Sequence, residues 1–505
     1  MNLVALADEN LKNFGEYPFL IFEDAAFTNK QILQFADRLA SGLKKLMVKK
    51  GEHVVVMLPN CPEVIISYQG ILRCGAVIVP LISLMNETEL LHILGNCEAV
   101  AMITTGDIFQ KNQSMLRAIG SLKHMILLGD ETPAGAIAFS SLIGGHAEEP
   151  SPPAIGEEDL AVILYTAGTT SAPKGVMLTH RNLYSNAVNA SHAHGTQAAD
   201  VTLVALPLSH SFGITSMNKA YKYGNLHILM RKFQAEDAFR LIEKHGVTNM
   251  PGVPAMFITM LNSPDADRYD LTSLKSCLSG AAPFPVASLF AFQKRFNCTV
   301  FEAYGLSEAS PAVSTNHHNR PTKPGSIGQP IPEVDVRIVD DEDRDVPQGE
   351  VGELLVKGPN VSSGYYKLPE ETAKTFRNGW LHTGDMARMD EDGYLYIVER
   401  KKDLIIRGGF NIYPRDIEET MYRHPAVKDA VAIGVPDPVM GEEVKVYVVL
   451  KEGVKASAED LLQYCQSGLA KHKWPKFIEC VESLPRNPMG KILRKELRKL
   501  SSGGV

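Results

Sequence analysis

The 505 residues are 45% hydrophobic and 22% charged, with a formal net charge of -7 and a pI near 6.1. This fits a globular chain of two or three domains with a substantial core. It excludes a nucleic-acid binder, which needs a basic face, and the lack of any bilayer-length apolar run excludes a transmembrane segment, so the expected partners are small molecules.

Met1 to Glu9 carries no basic region ahead of an apolar core, so no secretory signal is read there. Seven cysteines (Cys61, Cys74, Cys97, Cys277, Cys298, Cys465, Cys480) are scattered and never form C-x-x-C, which points to buried reduced thiols and a cytoplasmic location. From about residue 20 to 150, β-rich runs (His53 to Leu58, Ala76 to Leu81, Ala99 to Thr104, His124 to Leu128) alternate with helical stretches (Lys30 to Leu46, Pro62 to Arg73). This alternation predicts parallel sheet covered by helices.

A polar, Pro-rich segment, 148–158, leads through an apolar run, Ala161 to Tyr165, into Thr166-Ala167-Gly168-Thr169-Thr170-Ser171-Ala172-Pro173-Lys174-Gly175. The stretch reads as a phosphate loop: hydroxyls surround Gly168, whose missing side chain lets backbone N–H groups turn toward one anion, and Lys174 adds a cation. Val176 to Leu178 is a second apolar run, and Thr179 is placed to cap a helix beginning near Arg181. The loop therefore joins strand to strand, unlike G-x-x-x-x-G-K-[ST], which opens directly into a helix.

The pattern resumes with strands predicted at Thr202 to Leu206, Leu226 to Met230, Lys275 to Ser279 and Cys298 to Glu302. The loops after them, 206–213, 252–254, 279–283 and 302–308, lie where open α/β sheets place ligands. Glu308 is a candidate for magnesium that bridges phosphates. After Gly325, short runs (Val334 to Val339, Glu353 to Lys357, Tyr394 to Ile397) predict a β-rich subdomain, in which Asp385 after Gly384 is a candidate acceptor for ribose hydroxyls. Glu399 to Asp403 reads as an interdomain linker. Ala426 to Val435, Lys445 to Leu450 and a helix over Ala458 to Ala470 predict a small α+β domain. Lys491 follows a loop containing Pro and Gly, and the basic stretch Arg494 to Lys499 reads as solvated charge or a peripheral membrane contact. His192, His194, His317 and His318 have no carboxylate or cysteine cluster beside them, which argues against a structural metal.

In their order, the 165–175 loop, the His210 segment, Tyr304-Gly305-Leu306-Ser307-Glu308, Thr383-Gly384-Asp385, Arg400 to Asp403, Arg407-Gly408-Gly409 and Pro485 to Lys491 resemble the adenylate-forming superfamily. That superfamily contains acyl-CoA synthetases, firefly luciferase and peptide-synthetase adenylation domains. The sequence is most similar to its bacterial medium- and long-chain fatty acyl-CoA ligases. The resemblance implies an α/β fold: a large domain, 1–400, of two parallel-rich sheets and a β-rich subdomain, and a small mobile α+β domain, 401–505, hinged near Lys402. It implies that a carboxylic acid attacks the α-phosphate of Mg2+-ATP to give acyl-AMP and pyrophosphate, and that coenzyme A then displaces AMP.

The resemblance also implies residue roles. Thr166, Ala167, Gly168, Thr169, Thr170 and Lys174 would hold the departing phosphates, with Glu308 and Thr170 on magnesium. Gly280, Ala281, Ala282, Glu302, Ala303 and Tyr304 would line the adenine pocket, Ser307 would contact the α-phosphate, and Asp385 and Arg400 the ribose. Lys491 would bridge carboxylate and nucleotide, and His210 would join it and Glu308 in the catalytic set. Gly408 and Gly409 would line the coenzyme A tunnel after rotation about Lys402. Two positions depart from the family pattern: Ala167 stands where Ser is usual and Ser171 where Gly is usual, which removes a hydroxyl and stiffens the turn. Segments 210–213, 252–259 and 304–311 are expected to line the acyl pocket and contain no Arg or Lys. They predict an apolar monocarboxylic acid, aliphatic or aryl. A monomer or homodimer is expected. A ligase loading a carrier protein, a luciferase-like oxygenase and a nucleotide-binding regulator are the alternatives.

Overall fold

The computed structural model describes residues 1–83, 85–129, 132–144, 153–166, 173–486 and 492–502, and the backbone alone of Ser502. Local signals explain most helices. Asn29–Lys45 and His180–His194 begin in capping boxes made by Thr28 with Gln31 and by Thr179 with Asn182, and Pro62–Arg73 starts on a proline. Leu3–Phe14, capped by Asn2, went unread in the sequence; it buries Leu3, Val4, Leu6 and Ala7.

Four sheets organise the described residues. In the first, strands Ile137–Ala138, His124–Leu128, Ala101–Thr105, His53–Met57, Val77–Pro80 and Leu160–Thr166 run parallel in that order, and Lys174–Thr179 closes the edge antiparallel to Leu160–Thr166. The second has a parallel centre, Thr299–Gly305, Ser276–Ser279, Asn249–Gly252, Val201–Val204, Leu226–Leu229 and Pro18–Phe22, with antiparallel strands at both ends. Two parallel-rich sheets were expected, and two are present. Their apolar faces meet through Pro62–Arg73, His180–His194 and Ser211–Tyr223, which share one buried core with both sheets. A third, antiparallel sheet spans Asp335–Val339 to Leu395–Arg400. The fourth, formed within 405–480, has apolar clusters of its own.

The closing basic stretch differs from its sequence reading. It forms the helix Arg494–Ser502, and Arg494 is sequestered between Glu399 (2.8 Å) and Glu418 (2.6 Å), while Arg498 meets Asp403 at 2.9 Å. Those two arginines are committed to internal carboxylates and are not offered to a membrane surface. No described helix is long and apolar enough to cross a membrane.

Candidate active site

A cavity of about 850 Å³ opens at the carboxyl ends of the parallel strands in the second sheet. Its mouth is lined by Thr166, Lys174, Gly280, Ala281, Ala303, Tyr304, Ser307, Glu308, Arg400 and Lys402, all expected from the sequence. Arg486 and Leu493, from either side of Lys491, line it as well, and Arg486 pairs with Ile492 across an antiparallel bridge. Ala167, Gly168, Thr169, Thr170 and Lys491 themselves lie outside the described residues.

Side chains at the mouth hold one another in place. Thr166 and Lys174 are register partners across the hairpin, and Lys174 Nζ lies 2.6 Å from Glu371 Oε2 and 5.2 Å from the centre of the Tyr365 ring. The Tyr365 hydroxyl donates to Glu308 Oε1 at 2.9 Å. Tyr304 donates its hydroxyl to Asp385 Oδ2 at 2.5 Å, and Arg400 Nε lies 3.3 Å from the other oxygen of Asp385. Burial and the adjacent carboxylate hold the Tyr304 phenol far above its ordinary range, so it remains a donor. At Gly305 a Cβ would sit 2.3 Å from the Pro311 carbonyl oxygen, so no larger residue fits where strand and return loop touch.

Several expected residues stand elsewhere. Glu302 does not line the cavity: its strand neighbours Phe301 and Ala303 face inward, and its carboxylate turns to the Gly325 N–H at 2.8 Å, with burial lifting its pKa to about 7. Ala282 is exposed beside the mouth without lining it. Asp385 reaches the site through Tyr304 and Arg400. Gly408 and Gly409, with φ of 57° and 84°, form the exposed turn between strands Ile405–Arg407 and Phe410–Ile412, away from this cavity. His210 caps the helix Ser211–Tyr223 by accepting the Phe212 N–H at Nδ1. Enclosure pulls its pKa down to about 4, so at neutral pH it is an uncharged ring whose Nε2 is the donor. Lys402, although partly accessible, is pulled to about 8, first by burial and then by Arg400.

The cavity extends beyond the segments expected to line an acyl pocket. None of 252–259 lines it; Pro251 does. It continues between the sheet and the helix Ser211–Tyr223, where Ser211, Thr215 and Lys219 recur every four residues along one helix face. On the sheet side, Leu278 and Phe301 are register partners in the middle of this channel. At its floor, His227, Thr202, Asn249 and Ser276 form one row across four adjacent strands. The expectation of a lining without Lys or Arg therefore holds only for the segments named, since Lys219 belongs to the full lining. The signal was available as a polar residue at the first inward position of each of these four strands, but it required the sheet order to be read. Tyr365 and Glu371, from the third-sheet side, were also missed.

Residues 7–366 match the AMP-binding enzyme family, and residues 416–491 match the AMP-binding enzyme C-terminal domain. The chain is 39% identical to a long-chain-fatty-acid–CoA ligase of Bacillus subtilis, over 98% of this chain and 94% of that one. It is 33% identical to the ligase of the same name from Escherichia coli O6:H1, over 100% and 95%. Among solved structures, an anthranilate CoA ligase in complex with anthranoyl-AMP superposes with a TM-score of 0.94 at 27% identity, covering 100% of this chain and 98% of that one. With two family models in register over a cavity of this make-up, the chain belongs to the AMP-binding, adenylate-forming enzyme family and is an AMP-forming acyl-CoA ligase that uses ATP, Mg2+ and coenzyme A.

Proposed function

We propose that the nucleotide binds at the mouth of the cavity, and that the acid lies in the channel between the second sheet and the helix Ser211–Tyr223. The observation that carries this reading is the convergence of Lys174, Glu308, Ser307 and Tyr304 with Arg486 and Leu493 on one opening. Arg486 and Leu493 flank Lys491 and stand over that opening, as a lysine arriving from 401–505 requires. We take 1–400 as the large domain and 401–505 as the small one, turning about Lys402.

In the first step a carboxylate oxygen attacks the α-phosphorus and the bond to the β-phosphate breaks, releasing pyrophosphate. Thr166, Gly168, Thr169, Thr170 and Lys174 hold the departing phosphates, while Lys491 offsets the charge shared by acid and nucleotide. Ser307 contacts the α-phosphate, and Tyr304 and Ala303 support the base. Asp385 and Arg400, fixed on each other, present a carboxylate edge and a cation to the ribose. Glu308, with one oxygen held by Tyr365, would offer its other oxygen to Mg2+, which would supply charge to offset that of the phosphates. No cluster of three ligating side chains exists among the described residues to cage it alone. In the second step the thiol of coenzyme A attacks the acyl carbon, its C–O bond to phosphate breaks and AMP leaves. We assign Gly408 and Gly409, on an exposed turn that does not line the cavity, to that step.

The named fatty-acid ligase relatives favour an aliphatic acid, and the anthranilate ligase marks the aryl alternative. Free cysteines, six of the seven buried, support work in the cytoplasm. The test is AMP release from ATP across a panel of aliphatic and aryl acids, with and without coenzyme A. Acid-dependent AMP with thioester product supports the reading, and acid-independent ATP hydrolysis would overturn it.

A further inference from the structure

We propose that the acid carries a second hydrogen-bond-accepting group, best a carboxylate, at the end remote from its reacting carboxylate, and that Lys219 recognises this group at the floor of the channel. The proposal deepens the acyl-CoA ligase reading and rests on it.

Two independent rulers set the depth. Eight residues of helix separate Ser211 at the mouth from Lys219, about 12 Å at the helical rise. Six residues of strand separate Gly305 from Thr299, the register partner of Ser276 on the floor, about 20 Å at the strand rise. The Lys219 backbone and the sheet side of the floor thus lie about 12 and 20 Å from the nucleotide end, the length of an extended acyl chain. Between them the sheet presents Pro251, Leu278 and Phe301, an apolar middle suited to methylenes.

The floor is rich in donors. Lys219 Nζ lies 3.0 Å from His194 Nδ1, and His194 Nε2 lies 3.0 Å from Thr315 Oγ1. Burial, reinforced by Lys219, keeps His194 uncharged, so Nδ1 accepts from the ammonium and Nε2–H donates onward. The ammonium has two further N–H donors, and Lys219 lines the cavity. His227 lines the same floor, buried and uncharged, with no hydrogen bond to another described residue. Lys219 has no carboxylate within 4.0 Å among the described residues. Asp200 also lines the cavity but acts on Lys219 only from farther away, and its own oxygens hold the Gln197 N–H and the Thr248 hydroxyl.

An unsubstituted alkyl chain long enough to reach this floor would strip water from the ammonium and give nothing back. A terminal carboxylate supplies the missing counter-charge, and a terminal hydroxyl supplies an acceptor without the charge. Burial has already pulled the Lys219 amine down to about 8, as expected of a cation lacking a close partner.

The test uses the full chain with Mg2+-ATP and coenzyme A, measuring AMP formation for monocarboxylic acids, ω-hydroxy acids and α,ω-diacids of graded, matched length. We expect a length at which the diacid or the hydroxy acid exceeds the unsubstituted acid in kcat/KM by at least about tenfold, since sites built to bond a polar group reject analogues lacking it. Lys219→Met should erase that preference, mainly through KM, and raise kcat/KM for the unsubstituted acid. Lys219→Arg should restore part of it, which a merely structural lysine would not require. Preference for unsubstituted acids at every length overturns the inference, as does a Lys219→Met variant that changes all acids by one common factor. Either result leaves the ligase reading standing, whereas no AMP from any acid overturns both.

Discussion

Replacing Glu399 by Gln removes the charge from an ion pair that spans the proposed hinge. Glu399 sits on the strand Leu395–Arg400, before Lys402, while Glu418 and Arg494 lie beyond it on Pro414–Tyr422 and Arg494–Ser502. Arg494 reaches Glu399 at 2.8 Å and Glu418 at 2.6 Å, with side-chain exposures of 19%, 6% and 14%. Rotation about Lys402 leaves Arg494 with Glu418 and takes it from Glu399, so this contact favours only the orientation seen here. A hydrogen bond to a charged group contributes about 1.5–3 kcal/mol and a neutral one about 0.5–1.5, so Gln, which keeps the acceptor, loses about 1–2 kcal/mol. The equilibrium between orientations then moves about 5- to 30-fold away from the one seen here, which the proposed function takes as the adenylating one. Pyrophosphate release from acid and ATP should fall by up to that factor, while thioester formation from supplied acyl-AMP and coenzyme A holds or rises. Equal loss in both half-reactions, or no loss in either, would refute the latch.

Lys491→Ala should stop pyrophosphate release, since a donor aimed at developing charge is worth about 3–4 kcal/mol, yet spare thioester formation from supplied acyl-AMP. Gly409→Leu should do the opposite; failure of both variants in the same half-reaction would contradict the two-step assignment. Burial lifts the Glu302 carboxyl from 4.5 to about 7, so the folded state holds a proton that the unfolded chain releases between those values. Stability is therefore lost as pH rises through this window, by about 3 kcal/mol in full above it, and Glu302→Gln should raise Tm near pH 8 but not near pH 4. Chelation of magnesium should abolish adenylation without shifting Tm, because Tyr365 already holds the Glu308 carboxylate; a fall in Tm would mean that the cation is structural.

The elements that sequence patterning located are those whose signals are local. The strands His53–Met57 and His124–Leu128 and the helix Pro62–Arg73 lie within a residue of their apolar runs, and Thr179 caps as its hydroxyl and the following Asn182 dictate. The mouth of the cavity was legible for a different reason: its residues follow strand ends, which are fixed by chain order. The floor was not, because Thr202, His227, Asn249 and Ser276 meet only through a strand order that is out of sequence. Arg494 was misread on the same ground, since a cation in a basic run looks solvated until carboxylates from distant positions are brought around it. Glu302 illustrates the remaining limit. Strand alternation sends it away from its neighbours Phe301 and Ala303, and a one-residue difference in facing decides whether a carboxylate serves a ligand or a backbone amide.

Lys174, assigned above to the departing phosphates, rests against Glu371. On the proposed assignment an incoming polyphosphate must outcompete that resident carboxylate, which makes nucleotide capture an exchange of anions whose affinity is the difference between two attractions. The same exchange runs backward once pyrophosphate has been cut loose: Glu371 stands ready to reclaim the amine, and the departing product faces a rival already tethered beside it. A tight hold on the reactant is thereby traded for prompt clearance of the by-product.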